Sequence, residues 1–177
     1  ESTMTDFEQK VAKLKEPFKI EDIEWRVQQA GASSGGNGYW AILVPYVNNR
    51  AVQDRLDEVV GPTNWKNEFS STPNGKGTLC GISLFDGTNW ITKYDGADDS
   101  DIEAVKGGLS GAMKRAAVQW GVGRYLYKLD AAIVNARTEK PQSMDGWGMS
   151  PVKLDGARKT RLYYKIPKLP EFALPKE

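Results

Sequence analysis

The stretch KGGLSGAMKRAAVQWGVGRYLYKL, residues 106–129, constrains this chain more than any other. Taken with the residues just before it, its apolar positions recur at helical spacing, and at about 100° per residue Ile102, Val105, Leu109, Met113, Ala116 and Trp120 fall on one side. A helix with such a stripe has to dock it on a second apolar surface. The opposite side carries Gly107, Gly111, Lys114 and Val118, with Ser110 and Arg115 on its flanks. Glycine inside a helix costs about 1 kcal/mol relative to alanine, so this face requires a reason. From the wheel alone two stay open. Another backbone, such as that of a neighbouring subunit, packs closely there, or a bare helical floor admits a phosphate backbone that Lys114 and Arg115 neutralise.

The docking partner lies just upstream. NWKNEFSST, a Pro-Asn-Gly turn, TLCGISLF, an Asp86-Gly87 turn and NWITKYDG predict an antiparallel meander. Before it, Phe7, Val11 and Leu14 mark an amphipathic helix that Pro17 ends. An extended segment follows through IEDIEWRVQQAG, with Trp25 buried. GASSGGNG (31–38) is a turn by composition, and YWAILVPYV (39–47) is a strand with Pro45 at an end or edge. Asn49 is expected to cap a helix over Arg50–Val60, with Val52, Leu56 and Val59 inward and Gly61-Pro62 as its stop. After the long helix, RYLYKLDAAIV reads as a second helix or a continuation. EKPQSMDGWGMSP reads as loop, KTRLYYKI as one more strand, and PKLPEFALPKE as a Pro-spaced tail.

This order predicts an α+β fold, an antiparallel meander packed on a long helix, rather than alternating parallel-sheet units. Glu1-Ser2-Thr3 ahead of Met4 reads as a cloning remnant. Residues 4–134 are expected to form the core domain and 135–177 a C-terminal extension.

Composition excludes whole classes of chemistry. With no histidine among 177 residues, His-based triads, His acid–base catalysis and His metal sites are out. A single Cys80 permits no internal disulfide and suits a reducing cytosol. Asp98, Asp99 and Asp101 suggest hard-cation ligands, but the glycine and distal glutamate of a calcium loop are missing. Acid at a helix start, favoured by the macrodipole, is the better reading. GGNG is no Walker loop, and GLSGA lies inside the helical pattern with no histidine to act as base. No metal and no cofactor are expected. Net charge is only +1, so any polyanion site must come from local clustering. Trp120 falls on the apolar arc and reads as core, and Tyr125 and Tyr127 read as structural rather than base-stacking residues.

DIEAVKGGLSGAMKRAAVQWGVGRYLYKL resembles the signature helix of the Rad52/Rad22 single-strand annealing family in its phage and bacterial form. A second block supports it: WRVQQAG followed by VPYVNNRAVQDRLDEVVGPTNW resembles the family's early strand, turn, strand and helix. The resemblance covers roughly Phe7 to Val134. It implies a β-β-β-α core that assembles into rings around a positive groove. There single-stranded DNA is held by its backbone and complementary strands pair without ATP. Carried over, the groove cations fall on Lys114 and Arg115, with Lys106 and Arg26 as further contacts. Where eukaryotic members have another arginine one turn on, this sequence has Val118, which leaves the source of a third charge open.

Late in the chain Lys153, Arg158, Lys159 and Arg161 form a loose basic run. It reads as a solvated linker or as an outer DNA contact through Lys159 and Arg161. The resemblance therefore implies a non-enzymatic, homo-oligomeric DNA-binding and annealing protein of recombination and repair, in the cytoplasm of a bacterial host. Its candidate partners are a phage or host exonuclease or single-strand-binding protein, with no membrane. The alternative is a protein of the same fold that binds and protects 3′ ends without annealing.

Overall fold

The computed structural model describes residues 4–98, 104–154, 156 and 158–177, with backbone alone for 104–107. The chain folds as α+β with antiparallel sheets. It divides into two compact units that exchange the chain several times: residues 1–22, 47–125 and 175–177 in one, 23–46 and 126–174 in the other.

The first unit begins with α1 (Asp6–Lys13). Its start is a capping box. Thr5 Oγ1 accepts from the Glu8 N–H at 3.1 Å, and the Glu8 carboxylate accepts from the Thr5 N–H at 3.1 Å. Helix α2 (Asn49–Val60) is capped by Asn48, whose side chain accepts from the Ala51 N–H at 2.8 Å, one residue before the expected Asn49. Ala51, Val52, Leu56 and Val60 are its buried residues, with Val59 only half-buried. Arg55 of α2 reaches across to the end of α1. Its guanidinium donates to the carbonyls of Leu14, Glu16 and Pro17 and lies 4.0 Å over the Phe18 ring. Leu14 is the C-cap of α1 and Glu16 and Pro17 follow it, so one arginine ties down the chain where it leaves the helix.

The predicted meander is present as β3 (Trp65–Ser71), β4 (Gly77–Phe85) and β5 (Trp90–Asp98), paired antiparallel in that order. Helix α3 (Ala104–Gln119) packs on β4 and β5. Cys80, Ile82 and Leu84 alternate toward it from β4 and are fully buried. Trp120 sits in that layer as expected: its indole N–H donates to the Ile82 carbonyl at 2.9 Å, and Phe7 meets it edge-on at 6.3 Å. Burial pushes the Cys80 thiol up to about 11, so it stays protonated and inert in the fold.

After α3 the sequence reading fails locally. Arg124–Lys128 is a short 3-10 turn, and the apolar run beyond it is a strand, β6 (Ala132–Arg137). Gly121 and Gly123 both have positive φ and break the helix there. Tyr125 is buried and its hydroxyl accepts from the Phe18 N–H at 2.9 Å, whereas Tyr127 is 69% exposed.

The second unit is a five-stranded sheet in the order β1 (Ile23–Ala32), β2 (Tyr39–Val47), β6, β8 (Lys159–Lys165), β7 (Trp147–Lys153). The end strands β1 and β7 also contact each other, so the sheet curls toward closure. Ala41, Leu43, Ala136, Leu162 and Tyr164 fill its inner face, with Trp25, Val27 and Val134 packed against them. β7 lies where composition suggested loop. Pro151 is tolerated because β7 ends the hydrogen-bonded order. Among the described residues, no helix is long and apolar enough to cross a membrane.

Replacing Tyr125 by Phe leaves the buried Phe18 N–H without its acceptor. A loss of about 1–3 kcal/mol in urea unfolding is expected; a loss below about 0.5 kcal/mol would mean that this bond does not hold the N-terminal segment.

Candidate nucleic-acid interface

The signature helix meets β5 along a regular seam. From Gly111 to Gln119 a helix advances about 12 Å, at about 1.5 Å per residue. From Ala97 back to Lys93 a strand covers about 13 Å, at about 3.3 Å per residue. The two rows therefore stay in register. A Cβ placed on Gly111 would lie 3.3 Å from the Ala97 Cβ. One turn on, Arg115 Nε meets an Asp95 carboxylate oxygen at 3.3 Å. A further turn on, the Gln119 amide donates to the other Asp95 oxygen at 3.0 Å, and Lys93 Nζ donates to the Gln119 carbonyl at 3.4 Å. Lys93 also lies 4.7 Å over the Trp120 ring.

This corrects the helical wheel. Gly111 does not floor a bare outer face; it lets α3 close on β5. Leu109, placed on the docking stripe, is 37% exposed, while Ala112 and Ala117 are fully buried. Hydrophobicity marks the stripe against β4 but is silent about the seam against β5, which is made of small and polar side chains.

Asp95 is the electrostatic centre of the seam. Burial pushes its carboxyl upward and is the largest single influence. Hydrogen bonds from Gln119 and the Gly96 N–H, with the charge and hydrogen bond of Arg115, outweigh it and hold the group below the ordinary carboxylate range. Arg115 uses Nε for this contact. Its terminal amino groups have no hydrogen bond to any described residue, and the side chain is 55% exposed. Beside it opens a recess of about 320 Å³ lined by Thr72, Gly96, Ala97, Asp98 and Arg115. Arg124 adds another cation at the end of α3, bound through its guanidinium to the carbonyls of Val118 and Gln119.

The expected contacts are shared between the two units. Lys114 and Arg115 share α3 in the first unit, where Lys114 is half-buried. Lys106 lies on the same helix, but its side chain is outside the described residues, as are Asp99, Asp101 and Ile102; the expected role of acid at the helix start rests on them. Arg26 belongs to the second unit, exposed on β1 and 5.8 Å over the Tyr46 ring. The Tyr46 phenol is pushed up to about 12, first by burial and then by its bond to Glu24. Lys159 and Arg161 are exposed on β8. Lys93 and Asp95 escaped the sequence reading, although the K-x-D spacing of NWITKYDG puts both on one face of a strand.

Residues 6–144 match the family model of the Rad52/22 family double-strand break repair proteins. The chain belongs to this family. It is also 32% identical over 170 residues to the single-stranded DNA-binding protein DdrA of Deinococcus radiodurans, covering 92% of this chain and 66% of that protein. The DdrA of Deinococcus deserti is 32% identical over 124 residues, 66% of this chain and 56% of the relative. The chain thus spans less than two thirds of the length of either. The Rad52/22 match takes in both α3 and β5, so the Arg115–Asp95 seam lies inside it.

A carboxyl lowered on folding contributes stability above its unfolded pKa, about 3.9, and loses that contribution as pH falls through the lower folded value. Asp95→Asn is therefore expected to lower the urea midpoint at pH 7, with the gap to the parent protein closing below about pH 4. A gap constant from pH 7 to pH 3 would contradict the seam's ionic character.

Proposed function

We propose that this chain binds single-stranded DNA and anneals complementary strands without ATP in recombinational repair, as a ring-forming homo-oligomer built on the β3–β4–β5–α3 core. The observation that carries the reading is Arg115, fixed by Asp95 at Nε and presenting its terminal amino groups beside Lys114, on the helix that lies within the family match. Both curated relatives bear the name single-stranded DNA-binding protein, which supports the ligand. Lys106 and Arg26 are taken as further backbone contacts.

The mechanism is electrostatic. A ring repeats Lys114 and Arg115 once per subunit, so a chain of net charge +1 still offers a continuous positive track. Each neutralised phosphate releases counterions, and phosphate contacts carry no base information, which suits a protein that accepts any sequence. Holding a strand extended removes part of the ordering cost of pairing. No group in this scheme is asked to break a covalent bond.

The test is annealing of two complementary labelled oligonucleotides without ATP, with parent protein beside Lys114→Ala/Arg115→Ala. Acceleration by the parent alone is expected, with the variant's log–log salt slope for single-stranded DNA shallower by about 1.4, at about 0.7 per lost phosphate contact. Binding without acceleration would identify 3′-end binding and protection instead. Unchanged binding by the variant would place the groove elsewhere.

A further inference from the structure

The outward face of β6–β8–β7 has a composition that its fold alone does not call for. Leu162 and Tyr164 of β8 point into the core of the second unit, so Lys159, Arg161 and Lys165 lie on the other face, with Tyr163 buried at 7% exposure between the last two. The strand register sets Lys153 opposite Lys159, Pro151 opposite Arg161 and Trp147 opposite Lys165. Arg137 of β6 joins the same face opposite Tyr163. Arg137, Lys153, Lys159, Arg161 and Lys165 are all exposed, and none has an acidic partner among the described residues. The three strands contain no aspartate or glutamate. Like charges directly opposite each other, as at Lys153 and Lys159, destabilise a sheet. An anion between them removes that repulsion.

The face is more than a charged surface. The Arg137 guanidinium lies 4.5 Å from the Trp147 ring centroid and Lys165 Nζ lies 5.9 Å from it. Met149, between the two cationic ends, is 41% exposed. From Lys159 to Lys165 the strand covers about 20 Å, at about 3.3 Å per residue, the length of a few extended nucleotides. Cations alternating with an aromatic and a soft apolar side chain match a single strand, whose phosphates and unpaired base faces are both available. A duplex offers phosphates but encloses its bases, and would leave Trp147 and Met149 without a counterpart.

We infer that the outward face of β6–β8–β7 is a second contact for single-stranded DNA, with its lysines and arginines on phosphates and Trp147 and Met149 against bases. β7 and β8 lie beyond residues 6–144, so this contact does not follow from the family match, and it stands or falls separately from the α3 seam. A subunit with two such contacts holds two strands, or two stretches of one strand, at once.

The experiment introduces Lys159→Glu/Arg161→Glu into the parent protein and into Lys114→Ala/Arg115→Ala, and reads affinity for a 30-nucleotide oligo-dT and a 30-base-pair duplex by fluorescence anisotropy. Because the face contributes independently, the reversal is expected to weaken oligo-dT binding by about tenfold in both backgrounds, with less than about twofold change for duplex. A 5-iodouracil oligonucleotide should photo-crosslink to the Trp147 peptide, and Trp147→Leu should abolish that adduct. Circular dichroism melting checks the fold, and Lys153→Gln/Lys159→Gln replaces the reversal if it unfolds. Oligo-dT affinity unchanged by the reversal but lowered by Lys114→Ala/Arg115→Ala would overturn this inference and leave the proposed function standing. An equal loss on duplex would overturn the single-strand assignment.

Discussion

Where α3 lies along β5, a helix and a strand with different rises stay in step for two turns because four helical residues and two strand residues cover nearly the same length. Gly111 permits the approach, and the Arg115–Asp95–Gln119 contact fixes the angle around the helix axis. A glycine in mid-helix costs about 1 kcal/mol in propensity. What it allows is a short helix–strand distance at which a carboxylate on β5 can hold an arginine from α3. The recess beside Arg115 and the orientation of its terminal amino groups both depend on that distance.

The electrostatic organisation is one of separation rather than surplus. The chain carries 24 basic and 23 acidic residues, yet among the described residues the outward face of β6–β8–β7 has five cations and no acid, while the carboxylate of Asp95 organises the α3 seam. Elsewhere basic groups serve the fold: Arg55 ties down the chain where it leaves α1, and Arg124 satisfies the end of α3. An exposed arginine in such a protein is therefore read by its hydrogen bonds. One that donates several guanidinium N–H groups to carbonyls is structural, and one that, among the described residues, is held at Nε has terminal donors left for a ligand.

The meander, α2 and the signature helix were legible because each rests on a strong local signal: alternation bounded by Pro-Asn-Gly and Asp-Gly turns, a cap, and a 3.6-residue stripe. The seam against β5 was not. It consists of Gly111, Arg115 and Gln119, which no hydrophobicity pattern singles out, and Asp95 lies 20 residues away from its partner. β6 was misread because RYLYKLDAAIV is apolar enough for helix or strand, and only the positive φ of Gly121 and Gly123 decides between them. β7 was missed because Gly146, Gly148 and Pro151 have the composition of a loop. Its strand character comes from pairing with β8, a tertiary contact that composition does not carry. Lys159 and Arg161 were found as a basic run and Lys165 lies on the same expected strand, but their companions Arg137 and Trp147 are gathered only by the sheet register.

The most direct measurement is the single-stranded DNA affinity of Asp95→Ala, alone and combined with Arg115→Ala. Removing a negative charge close to a bound phosphate strengthens binding if that charge is a bystander or a competitor. If Asp95 positions Arg115, its loss weakens binding instead, and the effect disappears in the Arg115→Ala background because there is nothing left to position. Weaker binding for the single variant and no further change in the double variant are the expected results. Tighter binding by Asp95→Ala would contradict the account, because Asp95 would then be competing with DNA for the arginine that it is taken to hold in place.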